Sequence, residues 1–281
     1  MIALSSITDE IKTLDPLPPT AVKLVGLIAD ERSSVEEIGQ VIQYDQALTA
    51  YVLKYANSVF SGSKRQIVSI KDAVIRLGGA RITEQLIGKH LQAKLKSPLI
   101  PYGYDESDLW RHSVASATAA EMLSSCTDVK ISGASFTAAL LHDIGKLIMC
   151  RLVSPEEMKK VWEMASDQKT SCPGETAEKQ ILGFSHPEIG AHIAHAWGLP
   201  QPIVSAIRDH HETLSEETVT DTVKIANVTA RSIGEGLGME GMGLFIDDAV
   251  AQRMHLTRDS FENLCAKTLG RFKEVLQMFD I

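Results

Sequence analysis

The stretch AALLHDIGKLIM, residues 138–149, decides how the chain is read. Its apolar residues recur almost all the way round a helical wheel, which predicts a buried helix. Yet His142, Asp143 and Lys146 stand in its middle. On that wheel Asp143 falls between Phe136, Leu140 and Leu147, at the centre of the face that should meet the core. A carboxylate without a partner there is costly or takes up a proton, so Asp143 needs a cation or strong donors beside it.

Working outward, helix signals recur and strand alternation hardly appears, so the expected fold is all-α. SSVEEIGQVI offers Ser34 and Glu37 as a capping box ahead of Val35, Ile38, Val41 and Ile42. Asp45 is placed to cap the next helix, with Leu48, Val52 and Leu53 inward. SIKDAVIRLGG is a short helix that Gly78 or Gly79 would end. Four to five helices are expected over residues 1–95. KSPLIPYGYDES, with Pro98, Pro101 and Gly103, then interrupts the pattern. It marks a boundary between an N-terminal helical lobe, residues 1–100, and a second helical lobe, residues 101–281.

In the second lobe one helix carries Trp110 and His112, and another starts with Ser154 as cap, Pro155 in the first turn and Glu157 three residues on. Ser185, Pro187 and Glu188 mark the start of a helix at His186. Further helices are expected in QPIVSAIRDHHE, around 219–232 and from Ser260 to about Phe279. GEGLGMEGMG, residues 234–243, lacks the lysine and hydroxyl ending of a phosphate loop and reads as a flexible connection.

The chain has 281 residues, a formal net charge of −8, 44% hydrophobic residues and 5% aromatics, the balance of an aliphatic globular protein. No segment approaches the roughly 20 apolar residues of a membrane span, and MIALSSITDEIKTLD meets acids too early for a secretory signal. A cytoplasmic protein that binds no membrane is expected. No run of Lys or Arg offsets the negative charge, so nucleic acid is not an expected partner. Cys126, Cys150, Cys172 and Cys265 are far apart and form no CxxC pair, which argues against disulfides or a thiolate zinc site.

Five of the nine histidines, His112, His142, His186, His210 and His211, stand at helix positions near other potential ligands. With Asp143 they make six donors of the kind that bind Fe, Mn, Ni or Zn. One or two such ions would hold Asp143 in its charged form. His195, and His192 near it, point away from His186 and are set aside. Each element also has a plainer reading. His112 can be a lone helix residue, Asp143 and Lys146 an intrahelical ion pair, and His210 with His211 a solvated helix end. Spacing alone leaves both readings open.

LLHDIGKL, GFSHPEIGAHI and HHE resemble the HD superfamily of metal-dependent phosphohydrolases, in its HD-GYP-like branch. LPPTAVKLVGLI, VIQYDQALTAYVLKYANSVF and SIKDAVIRLGGARI are similar to the HDOD domain, a bacterial signalling module related to HD-GYP. The matched stretches span about residues 15–212. The resemblance implies a two-lobed helical bundle with a divalent metal centre in the second lobe. It implies His112, His142, Asp143, His186, His210 and His211 as ligands, and Lys146 facing a substrate phosphate beside Asp143. Asp108 stands where binuclear relatives can place a Glu. Asn227 replaces the aspartate that ends the ligand set of HD enzymes, where its amide oxygen can still coordinate a metal without bringing charge, and the GYP motif is missing after HHE. The implied function is signal transduction through a protein partner, with a nucleotide or cyclic dinucleotide as ligand. The alternative is an active phosphohydrolase acting on a phosphodiester or nucleotide with a metal-activated hydroxide.

Overall fold

The computed structural model describes residues 4–57, 66–166, 172–212, 215–239 and 245–278. Six helices fill the first part: α1 (Leu4–Lys12), α2 (Pro19–Ala29), α3 (Val35–Gln43), α4 (Gln46–Ala56), α5 (Ile70–Leu77) and α6 (Gly79–Leu95). A 3-10 turn at Ile100–Tyr102 leads into α7 (Asp108–Leu123), α8 (Ala134–Leu141), α9 (Gly145–Leu152), α10 (Pro155–Ala165) and α11 (Gly174–Leu182). The chain continues through α12 (His186–Ala196), α13 (Gln201–Asp209), α14 (Thr218–Ser232), α15 (Asp248–Arg253) and α16 (Arg258–Met278). Among the described residues extended pairing is limited to one isolated bridge, Leu99 with Tyr104. The fold is all-α, and no described helix is long and apolar enough to cross a membrane.

Local chemistry accounts for several helix starts. Ser34 Oγ accepts from Glu37 N at 3.2 Å while Ser34 N donates to Glu37 Oε2 at 2.7 Å, and Ser154 with Glu157 repeats the exchange at 3.3 and 3.1 Å. Asp45 Oδ1 accepts from Leu48 N at 3.0 Å, and Gly78 ends α5. The expectation of four to five helices before residue 95 is short by one or two, because α1 buries Ile7 and Ile11 one turn apart. α11 and α15 were also not read from the sequence. The four cysteines are free thiols.

Two apolar clusters organise the packing. One gathers Leu24, Ile38, Ile42, Val52, Val74 and Ile82 from α2 to α6. The larger joins Ile7, Val25 and Leu91 from the first helices to Trp110, Leu140, Ile148, Ile189 and Ile207. It runs without interruption past residue 100, since Leu99, Tyr102 and Tyr104 belong to it.

The opening stretch differs from its expectation of one continuous helix. It is two helices, α8 and α9, joined at residues 142–144 by a tightened turn. Ile144 N donates to Leu141 O at 3.0 Å, Lys146 N to Asp143 O at 3.0 Å and Leu147 N to Ile144 O at 3.2 Å, each spanning three residues rather than four. Packing supplies the reason: α9 crosses α12 with backbone against backbone. A Cβ on Gly145 would lie 2.0 Å from the His186 carbonyl oxygen, and Gly190 faces the same contact. Asp143 still reaches the centre of the core, at 1% exposure.

Candidate metal centre

Four helical elements bring the expected ligands together. His112 sits in α7, His142 and Asp143 on the turn between α8 and α9, His186 at the first position of α12, and His210 with His211 just past α13. All are buried except His211, which is slightly exposed. They form two triads, His112–His142–Asp143 and His186–His210–His211, in each of which the ligand atoms lie within 4.8 Å of one another. Asp143 stands between the triads. Its Oδ2 is 3.5 Å from Nε2 of both His112 and His142, while its Oδ1 is 3.3 Å from His186 Nε2 and 3.8 Å from His210 Nε2.

The opposite edges of most imidazoles are anchored. His142 Nδ1 bonds Ala139 O and His210 Nδ1 bonds Ile207 O, both at 2.7 Å. His112 Nδ1 meets Glu235 O at 3.1 Å, and His186 Nδ1 meets Glu178 Oε2 at 2.8 Å. Such contacts fix the tautomer with the proton on Nδ1 and leave the Nε2 lone pair facing inward. Nε2 of His186, His210 and His211 and Oδ1 of Asp143 have no hydrogen-bond partner among the described residues. Four buried polar atoms converging without partners fit a divalent ion as the missing group.

Electrostatics agrees with that fit. Burial holds His112, His210 and His211 well below the usual imidazole range, and His142 below it, so these rings are neutral donors near neutral pH. His186 shifts the other way: burial pushes it down, but the Glu178 and Asp143 carboxylates together outweigh this. For Asp143 burial alone would raise the value. The Lys146 ammonium and the surrounding imidazoles outweigh it and hold the carboxyl well below its ordinary range.

Lys146 is fully buried and donates to Asp143 Oδ2 at 2.8 Å. Its ammonium also lies 5.3 Å from the ring centres of both Tyr102 and Tyr104. Asn227 is buried, and its Oδ1 accepts from Arg231 Nε at 3.2 Å. Asp108 is not brought to either triad; its Oδ2 accepts from Asp105 N at 2.8 Å, closing the loop before α7. His192 and His195 are exposed.

Sequence reasoning missed the groups behind the ligands. Glu178, on the unforeseen α11, accepts from both His186 N and His186 Nδ1 at 2.8 Å and from the Tyr102 hydroxyl at 2.7 Å. Glu235 and Gly236 belong to the stretch read as a flexible connection, yet its described part is pinned. Arg111 Nε donates to Glu235 Oε2 at 2.8 Å, the Tyr104 hydroxyl donates to Gly236 O at 3.1 Å, and Met239 N donates to Tyr102 O at 2.8 Å. Residues 240–243 of that stretch lie outside the described residues.

A cavity of about 540 Å³ adjoins the second triad, with His210, His211, Asn227, Arg231 and Lys224 on its wall. Lys146 is not among its lining residues.

An HDOD domain family model matches residues 14–213. The chain belongs to the HDOD family. An uncharacterized protein of Treponema pallidum (strain Nichols) is 27% identical over 232 residues, covering 81% of this chain and 44% of its own length. The chain therefore spans less than half of that relative. Among solved structures, an HDOD domain protein of unknown function from Geobacter sulfurreducens aligns with a TM-score of 0.60 at 25% identity, over 98% of this chain and 93% of that one. A protein from Marinobacter aquaeolei VT8 whose name proposes signal transduction aligns at 0.71 and 23% identity, covering 98% of this chain and 64% of its own. One from Shewanella amazonensis SB2B whose name proposes a phosphohydrolase aligns at 0.57 and 21%, over 94% and 98% of the two chains. The last two likenesses establish a shared fold.

Proposed function

We propose that this HDOD protein holds one or two divalent ions of Fe, Mn, Ni or Zn between its two triads, and that the centre binds a phosphate-bearing ligand whose presence a protein partner reads. The observation that carries the reading is the convergence of four buried, unpartnered atoms, Asp143 Oδ1 and Nε2 of His186, His210 and His211. The back of His210 is fixed by a carbonyl and that of His186 by a carboxylate, as metal-binding imidazoles require. Elemental analysis of untagged protein is expected to find about one or two equivalents of metal, lost in His142→Ala and in Asp143→Ala. Full metal content in both variants would overturn the ligand set.

A second reading, phosphoester hydrolysis, is favoured by the cavity that meets the triad at His210 and His211. A bound divalent ion would supply Lewis acidity toward a phosphoryl oxygen and toward water. Two features of the chain weigh toward binding rather than turnover. Lys146 is committed to Asp143 inside the core, where it keeps that carboxylate charged. Asn227 turns its amide oxygen to Arg231. Phosphodiester turnover that survives repeated purification, is abolished in Asp143→Ala and falls in Lys146→Ala with metal retained would move the reading to an enzyme.

A further inference from the structure

The cavity beside His210 and His211 has a wall that the metal centre does not use. Lys224, Asn227, Val228 and Arg231 line it at spacings of three, four and seven residues, so one face of α14 forms that wall. Arg231 is 3% exposed and directs Nε to Asn227 Oδ1. The Lys224 side chain is 10% exposed, and its ammonium makes no hydrogen bond among the described residues. The nearest carboxylate oxygen, Asp221 Oδ1, is 3.8 Å away. That carboxylate is already clasped by Arg253, through Nε to Oδ2 at 2.8 Å and Nη2 to Oδ1 at 3.0 Å. A buried ammonium without an acceptor is costly, and an anion entering the cavity is the group that would relieve it.

The acids on the same wall are engaged elsewhere or face solvent. Asp247 Oδ1 caps α15 through Val250 N, Glu175 Oε1 accepts from the Thr176 hydroxyl at 3.4 Å, and Glu212 is exposed. Trp162, Ile246 and Phe245 give the cavity an apolar part, and Phe245 is 84% exposed. Lys146, the cation expected to meet a phosphate, lies instead in the core between Asp143 and two tyrosine rings.

We propose that Lys224 and Arg231 form an oxyanion clamp for the phosphoryl group of a phosphate ester whose apolar or aromatic part lies against Trp162 and Phe245. The proposal rests on the metal reading above, because the clamp faces the same cavity as His210 and His211. It transfers the anion-binding role from Lys146 to a helix face that carries none of the six residues of the two triads.

The test is calorimetric titration of the full, metal-loaded chain with phenylphosphonate and with inorganic phosphate, with metal content measured on every sample. Wild-type protein is expected to bind both probes, phenylphosphonate more tightly. Lys224→Met is expected to weaken both about tenfold to a hundredfold, the effect of losing one charge-assisted hydrogen bond, with metal content unchanged. Lys224→Arg is expected to restore most of the loss, which a folding defect would not allow. Unchanged affinity in Lys224→Met, or a metal-loaded wild type that binds neither probe, overturns the clamp and leaves the metal centre standing. Protein without metal overturns the centre first, and the same Lys224→Met comparison on that protein then decides the clamp by itself.

Discussion

Leu24, Ile42, Val52 and Ala73 are each at most 1% exposed, and so are His112, His142, Asp143 and Lys146. The first four belong to the apolar cluster of α2–α6, where burial removes hydrocarbon from water and is itself the stabilising term. The second four sit where α7 meets the junction of α8 and α9, and there burial opposes folding until each polar group finds a partner. Equal depth therefore has opposite energetic meaning in the two regions. The apolar cluster is complete as it stands. The histidine layer satisfies its lysine and the Nδ1 edges of His112, His142, His186 and His210, but leaves four atoms without a hydrogen-bond partner among the described residues.

That contrast breaks most sharply on metal removal. A ligand that binds only the folded state stabilises it by about 4 kcal/mol at a thousandfold excess over its dissociation constant. Chelation is expected to lower the thermal midpoint and to raise amide exchange in α8, α12 and α13 while α3–α5 keep their protection. Uniform loss of protection would mean that the two regions are not energetically separate.

Leu24→Ala probes the other side. Leu24 is fully buried, so truncation is expected to cost roughly 2–5 kcal/mol by lost burial and a residual cavity. Metal content should be unchanged, as measured by denaturant titration alongside elemental analysis. Loss of metal in this variant would show that the apolar cluster sets the geometry of the triads.

Glu178→Gln gives the next smaller effect. The carboxylate holds both the backbone N–H and Nδ1 of His186, and the neutral amide would keep the shape while losing the charge. Metal affinity is expected to fall about tenfold to a hundredfold with the helix content intact, the usual consequence of altering a group behind a ligand. Tyr102→Phe, which removes a single 2.7 Å hydrogen bond to the same carboxylate, should do less. An unchanged affinity in Glu178→Gln would leave His186 positioned by α12 alone.

Why Glu178 escaped sequence reading, while His186 did not, follows from where each signal resides. His186 lies between Ser185 and Glu188, a capping pair, and precedes a proline, all local marks of a helix start. α11 begins after Pro173 with no side-chain cap, and nothing near Glu178 tells of a partner eight residues on. The break at 142–144 was equally hidden, because it answers to Gly190 on another helix. Tyr102 and Tyr104 sit among prolines and glycines that read as a boundary, yet both are at most 1% exposed and pack on Lys146. Motif residues were legible because their chemistry is carried in the pattern itself, and their supports were not because those are set by tertiary packing.

The smallest effect tests whether a purely local feature stays local. Ser34 closes the first turn of α3 by exchanging hydrogen bonds with Glu37, and α3 packs on α2, α4 and α5 rather than on the histidine layer. Ser34→Ala removes one acceptor for a helix N–H that has no other partner in the turn, which is expected to cost about 1 kcal/mol. Because the coupling between distant, independently packed sites is small, metal affinity should match wild type within the error of a competition titration. A measurable change in metal binding from so remote a cap would connect the two regions, and would make the N-terminal helices the part of the chain through which a partner senses the centre.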